Sequence, residues 1–257
     1  MKFSHKMEQA LADFGVTSNQ LTEDERKFID EQGYLIIRDV LSPDQVQAFT
    51  ARLDELTELE GEDAGKEVHK EEGTNRLSNL IDKDSMFEVC ITHPKVLAAI
   101  AQVIQKDFKH SSLNSRETLP GAGHQRFHAD YGKPVKPGEY VVCNSVWLID
   151  DFNKTNGATR IVSGSHRKEK LPQDEMEDIH AAHPDEIQLL APAGTVVVFN
   201  AHLWHGGTKN ESKASRHAMH SYFCQREDEQ QLNQREHLRP ETVNRLSSAV
   251  RWILDVG

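Results

Sequence analysis

The stretch His124-Gln-Arg-Phe-His-Ala-Asp-Tyr-Gly132 places two histidines and an aspartate within a few residues of a turn. On extended backbone, residues i and i+2 project to the same face, so His128 and Asp130 offer an imidazole and a carboxylate together. A third ligand must come from elsewhere, and His205 in Leu203-Trp-His-Gly-Gly207 follows directly on the apolar run Thr195 to Asn200. Two imidazoles and one carboxylate on one side of an octahedral ion leave three positions open, the arrangement suited to non-haem Fe(II) and oxygen chemistry. Zinc at the same ligands would instead activate water for a hydrolase or lyase reaction. Arg216 separates these readings. It stands eleven residues after His205 across a turn-rich loop, an arrangement that fits neighbouring antiparallel strands with both side chains facing inward. A buried guanidinium requires a carboxylate or phosphate partner, so a dicarboxylate could bridge the metal and Arg216. In a chain with 14 histidines an isolated His-x-Asp is weak evidence, and the weight comes from its combination with His205 and Arg216. His124 reads more simply as a polar residue at a strand edge.

The elements that must position these groups fall into two parts. Residues 1–105 read as helices around one strand: a helix from Leu21 to Asp30 capped by Thr22 and stopped by Gly33, a strand from Tyr34 to Val40, a helix opening at Ser42-Pro43 and running to about Leu59, and an apolar helix from Val96 to Ile104. The polar run from Glu60 to Gly73 lacks periodicity and reads as a mobile loop able to act as a lid. Residues 106–230 carry short strands separated by turns, the pattern of a sandwich or barrel. The candidates are Tyr140 to Ile149, Thr159 to Val162, Ile187 to Leu190, Thr195 to Asn200 and His217 to Cys224. Residues 231–257 close the chain with one amphipathic helix from Glu241 to Leu254, and the whole is expected to form one domain.

Composition narrows the partners. A net charge of −11 and the lack of any basic run interleaved with aromatics speak against nucleic acid. The three cysteines, Cys90, Cys143 and Cys224, are widely spaced without a Cys-x-x-Cys, which fits a reducing cytoplasm better than a disulfide framework. No stretch approaches 18 apolar residues, and the charged, amphipathic N-terminus is not that of an exported or membrane-anchored chain. No sequence signal sets an oligomeric state.

The chain resembles the phytanoyl-CoA dioxygenase family of Fe(II)/2-oxoglutarate-dependent oxygenases. The likeness is carried by His128-Ala-Asp130, by Asn156-Gly-Ala-Thr-Arg-Ile-Val-Ser-Gly-Ser-His166, and by His205 and Arg216 at their eleven-residue separation, with supporting matches at "QGYLIIRDVLS" and "ITHPKVL". It implies a double-stranded β-helix, a jelly-roll core with N-terminal and C-terminal helices packed outside. It implies Fe(II) on His128, Asp130 and His205, and 2-oxoglutarate held through its distal carboxylate by Arg216, with O2 as the second cosubstrate. Trp147 matches a tryptophan near the cosubstrate, Arg76 a basic cosubstrate contact, and Tyr131, beside the ligand pair, is a candidate to face substrate. The implied reaction converts 2-oxoglutarate to succinate and CO2 while oxidising a C–H bond. Halogenating relatives have a small residue at the carboxylate position, so Asp130 makes hydroxylation the first expectation. Two departures stand out: Ser163 where the family often has proline, and Gly207 where some members place a serine that can bond the cosubstrate. His166 is expected to order a loop, and His220, sharing Arg216's inward parity, to act behind the ligands. A non-catalytic binding domain on the same fold would show damaged ligand positions, and all four are intact here. A CoA thioester would require a basic phosphate patch, and Lys133, Lys136 and the Arg167 to Lys170 run are too ordinary for one, so a small metabolite is the expected substrate.

Overall fold

The computed structural model describes residues 2–257. Along the chain lie α1 (His5–Asp13), α2 (Glu23–Gln32), β1 (Tyr34–Ile37), α3 (Pro43–Glu60), β2 (Thr74–Leu77), α4 (Leu80–Lys83), α5 (Val89–Thr92), α6 (Pro94–Ile104) and β3 (Phe108–Thr118). They are followed by β4 (Val142–Leu148), β5 (Thr159–Val162), β6 (Glu186–Gln188), β7 (Val196–Asn200), β8 (His205–Gly207), β9 (Arg216–Gln225), α7 (Gln234–His237), α8 (Pro240–Arg245) and α9 (Ser248–Leu254). Six strands form one sheet in the order β1-β7-β4-β9-β3-β2 and three form a facing sheet, β6-β5-β8. Every strand pair is antiparallel, and the two sheets make the double-stranded β-helix.

Strand parity divides the large sheet between two cores. On β4, Cys143 and Trp147 join the cluster that includes Phe49, Leu97 and Ile100 from the helices, and on β9 Met219 and Phe223 do the same. The alternate residues Val142, Val146, Leu148 and Ala218 pack with Ile161, Leu189, Val197 and Phe199. The helices therefore brace one face of the large sheet and leave its other face, with the small sheet, to enclose the cavity. α6 is buried from Val96 to Ile104, and the His93 imidazole caps it by accepting from the Val96 amide. α2 and α3 open with reciprocal capping boxes, Thr22 with Glu25 and Ser42 with Gln45. Gly33 ends α2 at φ 85°, and a side chain there would also strike His166 and Leu203. No single described helix is long and apolar enough to cross a membrane.

Several elements differ from their sequence expectations. β3, the longest strand, has no counterpart among the expected ones. The strand from Tyr34 stops at Ile37, because Asp39 takes a left-handed φ of 56°. The expected C-terminal helix is broken at Leu246, which is extended, and restarts where the Ser247 hydroxyl accepts from the Val250 amide. The run after α3 does not hang free: Gly65 lies so close to the backbone of Arg76 that a Cβ would meet its carbonyl oxygen at 2.9 Å, and Glu71 turns inward.

On the helix-facing side of β9, His217 is held among three carboxylates. Its Nδ1 is 2.9 Å from Asp150, and its Nε2 is 3.5 Å from Asp54 and 3.7 Å from Glu117. Burial lowers its basicity, but the Asp150 hydrogen bond and the surrounding negative charge outweigh it and raise its pKa above the ordinary value. A group whose pKa is raised on folding stabilises fully below its unfolded pKa of about 6.5, and that stabilisation is lost as pH rises through the folded value. The stability gap between wild type and His217→Gln, read from urea unfolding, is therefore expected to be widest below about pH 6 and to narrow in alkali. A gap independent of pH would show that the ring contributes only packing.

Candidate functional site

The site forms where the strand-like segment after Arg126 meets β8. His128 and His205 exchange backbone hydrogen bonds of 2.9 Å in both directions, which sets their rings side by side with centroids 4.3 Å apart. Asp130 is fixed to the same ladder by its amide, which donates to Ala201. Its Oδ1 lies 3.7 Å from His128 Nε2 and 3.5 Å from His205 Nε2, and the three donor atoms fall within 4.8 Å of one another. The Nδ1 of His128 donates to the Arg126 carbonyl at 3.0 Å and that of His205 to the Leu203 carbonyl at 2.8 Å. Those bonds keep the proton on Nδ1, so both Nε2 lone pairs face the space between the ligands, as metal-bound histidines require. The Asn144 amide donates to Asp130 Oδ2 at 3.3 Å.

The electrostatics fit a cation. Burial, with His205 beside it, pushes His128 down to about 4, so this ring is neutral at physiological pH. Burial opposes ionisation of Asp130, but the two imidazoles and Asn144 hold its carboxyl well below the usual range. Burial also works against a proton on His205, and Asp130 more than compensates, so the pKa of His205 is raised. A metal ion would take the place of that proton.

The three groups open into a cavity of about 470 Å3. Its walls include inward residues of the paired strands β3 and β9, Arg116, Asn114 and Ser112 on one and Arg216, His220 and Tyr222 on the other, with Asn114 facing His220 and Ser112 facing Tyr222. Arg216 is 2 % exposed at the deep end. Its Nη2 donates to the Gly157 carbonyl at 2.7 Å and to Thr118 Oγ1 at 3.1 Å, and its guanidinium lies 4.1 Å from the centre of the Phe152 ring. It makes no ion pair among the described residues. Burial and the charge of Arg116 push it down to about 9, which still leaves it cationic at neutral pH. A buried cation without a counter-ion is costly, and a dicarboxylate anchored there with its other end at the His–Asp–His cluster would remove that cost.

Arg216 and His205 line one cavity as expected, but not from neighbouring strands. β8 belongs to the small sheet and β9 to the large one, because the intervening loop, fastened by Asn210, crosses from one sheet to the other. Gly207 has a steric reason: a Cβ there would lie 2.6 Å from the Gly123 carbonyl oxygen, so a serine would displace the 123–125 backbone. Arg76 reaches the cavity wall, paired with Glu71 at 2.9 Å. The expectation for Trp147 is corrected. Strand parity turns it to the helix side, where it is fully buried against His93 and its indole N–H donates to Ser145, while Asn144 and Val146 face the cavity instead. Tyr131 packs against His202 and does not line the cavity, because the chain turns away from the site after Asp130. His124 stacks on His180 outside it, and His166 bonds the Asp30 carbonyl and orders the α2 junction. His220 does line it, half-buried and with its buried Nε2 unpartnered. Sequence reasoning missed Arg116, Glu71, Asn114 and Ser112. The only signal for three of them was the even-numbered parity of a strand too polar to be recognised.

The phytanoyl-CoA dioxygenase (PhyH) family model matches residues 29–218. Among curated relatives, dioxygenase trt7 of Aspergillus terreus is 27% identical over 209 residues, covering 75% of this chain and 70% of its own length. The peroxisomal phytanoyl-CoA dioxygenase of Rattus norvegicus is 23% identical over 246 residues, covering 82% of this chain and 70% of its own. Among solved structures, HygX of Streptomyces hygroscopicus with nickel and 2-oxoglutarate bound superimposes with a TM-score of 0.66 at 15% identity, over 82% of this chain and 89% of its own. With the family model spanning most of its length and the His–Asp–His cluster opening on a buried arginine, the chain belongs to the phytanoyl-CoA dioxygenase family and is a non-haem Fe(II)/2-oxoglutarate-dependent dioxygenase.

Proposed function

We propose that the enzyme hydroxylates an unactivated C–H bond of a small polar metabolite, with His128, Asp130 and His205 holding Fe(II) and Arg216 holding the distal carboxylate of 2-oxoglutarate. The observation that carries the assignment is the unpaired, buried guanidinium of Arg216 in the same cavity as the ligand cluster. Bound iron supplies the redox chemistry by which 2-oxoglutarate and O2 yield succinate, CO2 and an oxidised substrate. The chain's own residues prepare that chemistry. The Arg126 and Leu203 carbonyls fix the imidazole tautomers, Asn144 orients the carboxylate, and the deep wall around Arg216 excludes water from the cosubstrate's tail.

The cavity chemistry supports a polar substrate. Its lining includes Ser112, Asn114, Asn144 and Gln231, and the Asn114 and Asn144 side-chain oxygens are buried without a partner. A hydrocarbon chain laid there would leave those acceptors unsatisfied at about 1–3 kcal/mol each, whereas hydroxyl or amine donors would satisfy them. Three buried, unpaired thiols fit a reducing compartment, and we place the enzyme in the cytoplasm as a single domain.

The test is an anaerobic titration of metal-free protein with Fe(II) and then 2-oxoglutarate, read as a visible metal-to-ligand charge-transfer band, followed by succinate formation on admitting O2. Both are expected with Fe(II), and neither with Zn(II). Folded protein that takes up Fe(II) but never develops the band would overturn the assignment.

A further inference from the structure

Three guanidinium groups, of Arg76, Arg116 and Arg216, converge on the cavity, and one carboxylate, Glu71, answers the first two. Arg116 donates from Nε to Glu71 Oε2 at 2.9 Å and from Nη2 to Glu71 Oε1 at 2.8 Å, a two-pronged pairing on the Nε/Nη2 edge of the arginine, while its other edge is taken by the Thr118 hydroxyl and the Gly123 carbonyl. Arg76 donates to the same carboxylate at 2.9 Å, and so does the Gln125 side chain at 2.9 Å. Gln125 in turn accepts from the amide of Gly207, two residues beyond His205. The Glu71 carboxylate is therefore saturated by four donors, and burial, which opposes its charge, is overcome by Arg116 and Arg76, which hold its pKa at about 2. Arg216 receives no such partner, although it is a direct neighbour of Arg116: Arg116 Nη1 and Arg216 Nη2 donate to the one hydroxyl of Thr118, at 2.7 and 3.1 Å.

A dicarboxylate entering this cavity thus meets two adjacent guanidinium groups, each able to take a carboxylate through paired N–H donors. Anchored on the wrong one, its other end would stand in the wrong place relative to His128, Asp130 and His205. We propose that Glu71 is a positioning residue that closes the Arg116 fork to incoming anions, so that the distal carboxylate of the cosubstrate registers on Arg216 alone. The inference rests on the assignment of Arg216 made above. It also gives the polar run after α3 a role: the run serves as an arm, seated by Gly65 against β2, that delivers one carboxylate into the cavity wall.

The test uses iron-loaded protein without oxygen, titrated with 2-oxoglutarate by calorimetry and by the charge-transfer band in parallel. Wild type is expected to bind one equivalent. Glu71→Gln, nearly identical in shape, is expected to bind a second equivalent and to weaken the band-forming site by about tenfold. Adding Arg116→Met to that variant should return the titration to one equivalent. Arg116→Met in the otherwise native protein supplies a check that does not depend on Glu71→Gln folding, since it removes the competing fork and should still titrate to one equivalent. The inference is overturned if Glu71→Gln titrates like wild type, if the double variant keeps two sites, or if Arg116→Met alone binds two equivalents. Failure of the underlying assignment looks different: Arg216→Met would then bind 2-oxoglutarate as tightly as wild type.

Discussion

Asp130→Ala is expected to leave a folded protein that no longer retains Fe(II), with turnover falling below detection. The Asp130 side chain has His128, His205 and Asn144 as polar partners, and none of the core clusters includes it, so its removal costs little packing. What it removes is the anionic member of the set. Changes to groups that merely orient a metal ligand weaken binding by about 10–100-fold, and loss of a ligand itself should exceed that range. The same substitution has a second, opposite-signed consequence in metal-free protein. Without the neighbouring carboxylate, burial is opposed only by the hydrogen bond to the Leu203 carbonyl, and the pKa of His205 falls. Two measurements check this. Fe(II) should raise the thermal midpoint of wild type and not that of the variant, because an ion stabilises only the folded state that binds it. The imidazole protons of His205, followed by NMR in metal-free protein, should titrate at lower pH in the variant. Retained Fe(II)-dependent stabilisation in Asp130→Ala would place the metal elsewhere.

The residues that carry this chemistry were legible in the sequence to unequal degrees, and the reason is the cavity itself. His128, Asp130 and His205 stand in short, distinctive contexts, and His205 follows an apolar strand that cannot be mistaken. β3 is the opposite case. Its inward positions Ser112, Asn114 and Arg116 face a polar cavity, so the alternation that normally marks a strand is inverted, and the run reads as a loop. Glu71 is hidden for a related reason. It sits in a polar, glycine-bearing run with no periodicity, and only the fold brings it to Arg116, 45 residues away. Trp147 fails through parity. An alternating strand declares two faces, but which one meets the helices is set by its pairing with β7 and β9, a long-range fact. The separation between His205 and Arg216 suggested neighbouring strands for the same local reason, whereas the loop at Asn210 carries the chain across to the other sheet.

Arg216→Met should retain Fe(II) binding and raise the 2-oxoglutarate requirement roughly a hundredfold, from the loss of a charge-assisted pairing of about 3 kcal/mol. Arg216→Lys should recover only part of this, because a single ammonium cannot reproduce the paired N–H donors of the fork. The stability of the metal-free protein provides the sharper test. In the native chain a guanidinium that is 2 % exposed carries its charge without a counter-ion, offset only by carbonyl and hydroxyl acceptors and the face of Phe152. Methionine preserves much of the volume and removes the desolvated charge, while freeing the Gly157 carbonyl and the Thr118 hydroxyl from one donor each. Replacing a buried charge by a packed apolar side chain is often neutral or stabilising. Arg216→Met is therefore expected to melt at or above the wild-type temperature in the absence of ligands and below it once Fe(II) and 2-oxoglutarate are saturating, since the wild type then gains the binding energy that the variant has lost. A variant that melts lower without ligands yet keeps its cosubstrate requirement would assign Arg216 to the fold instead of to 2-oxoglutarate. The crossing of the two melting curves is the signature of a residue whose buried charge is kept for its ligand.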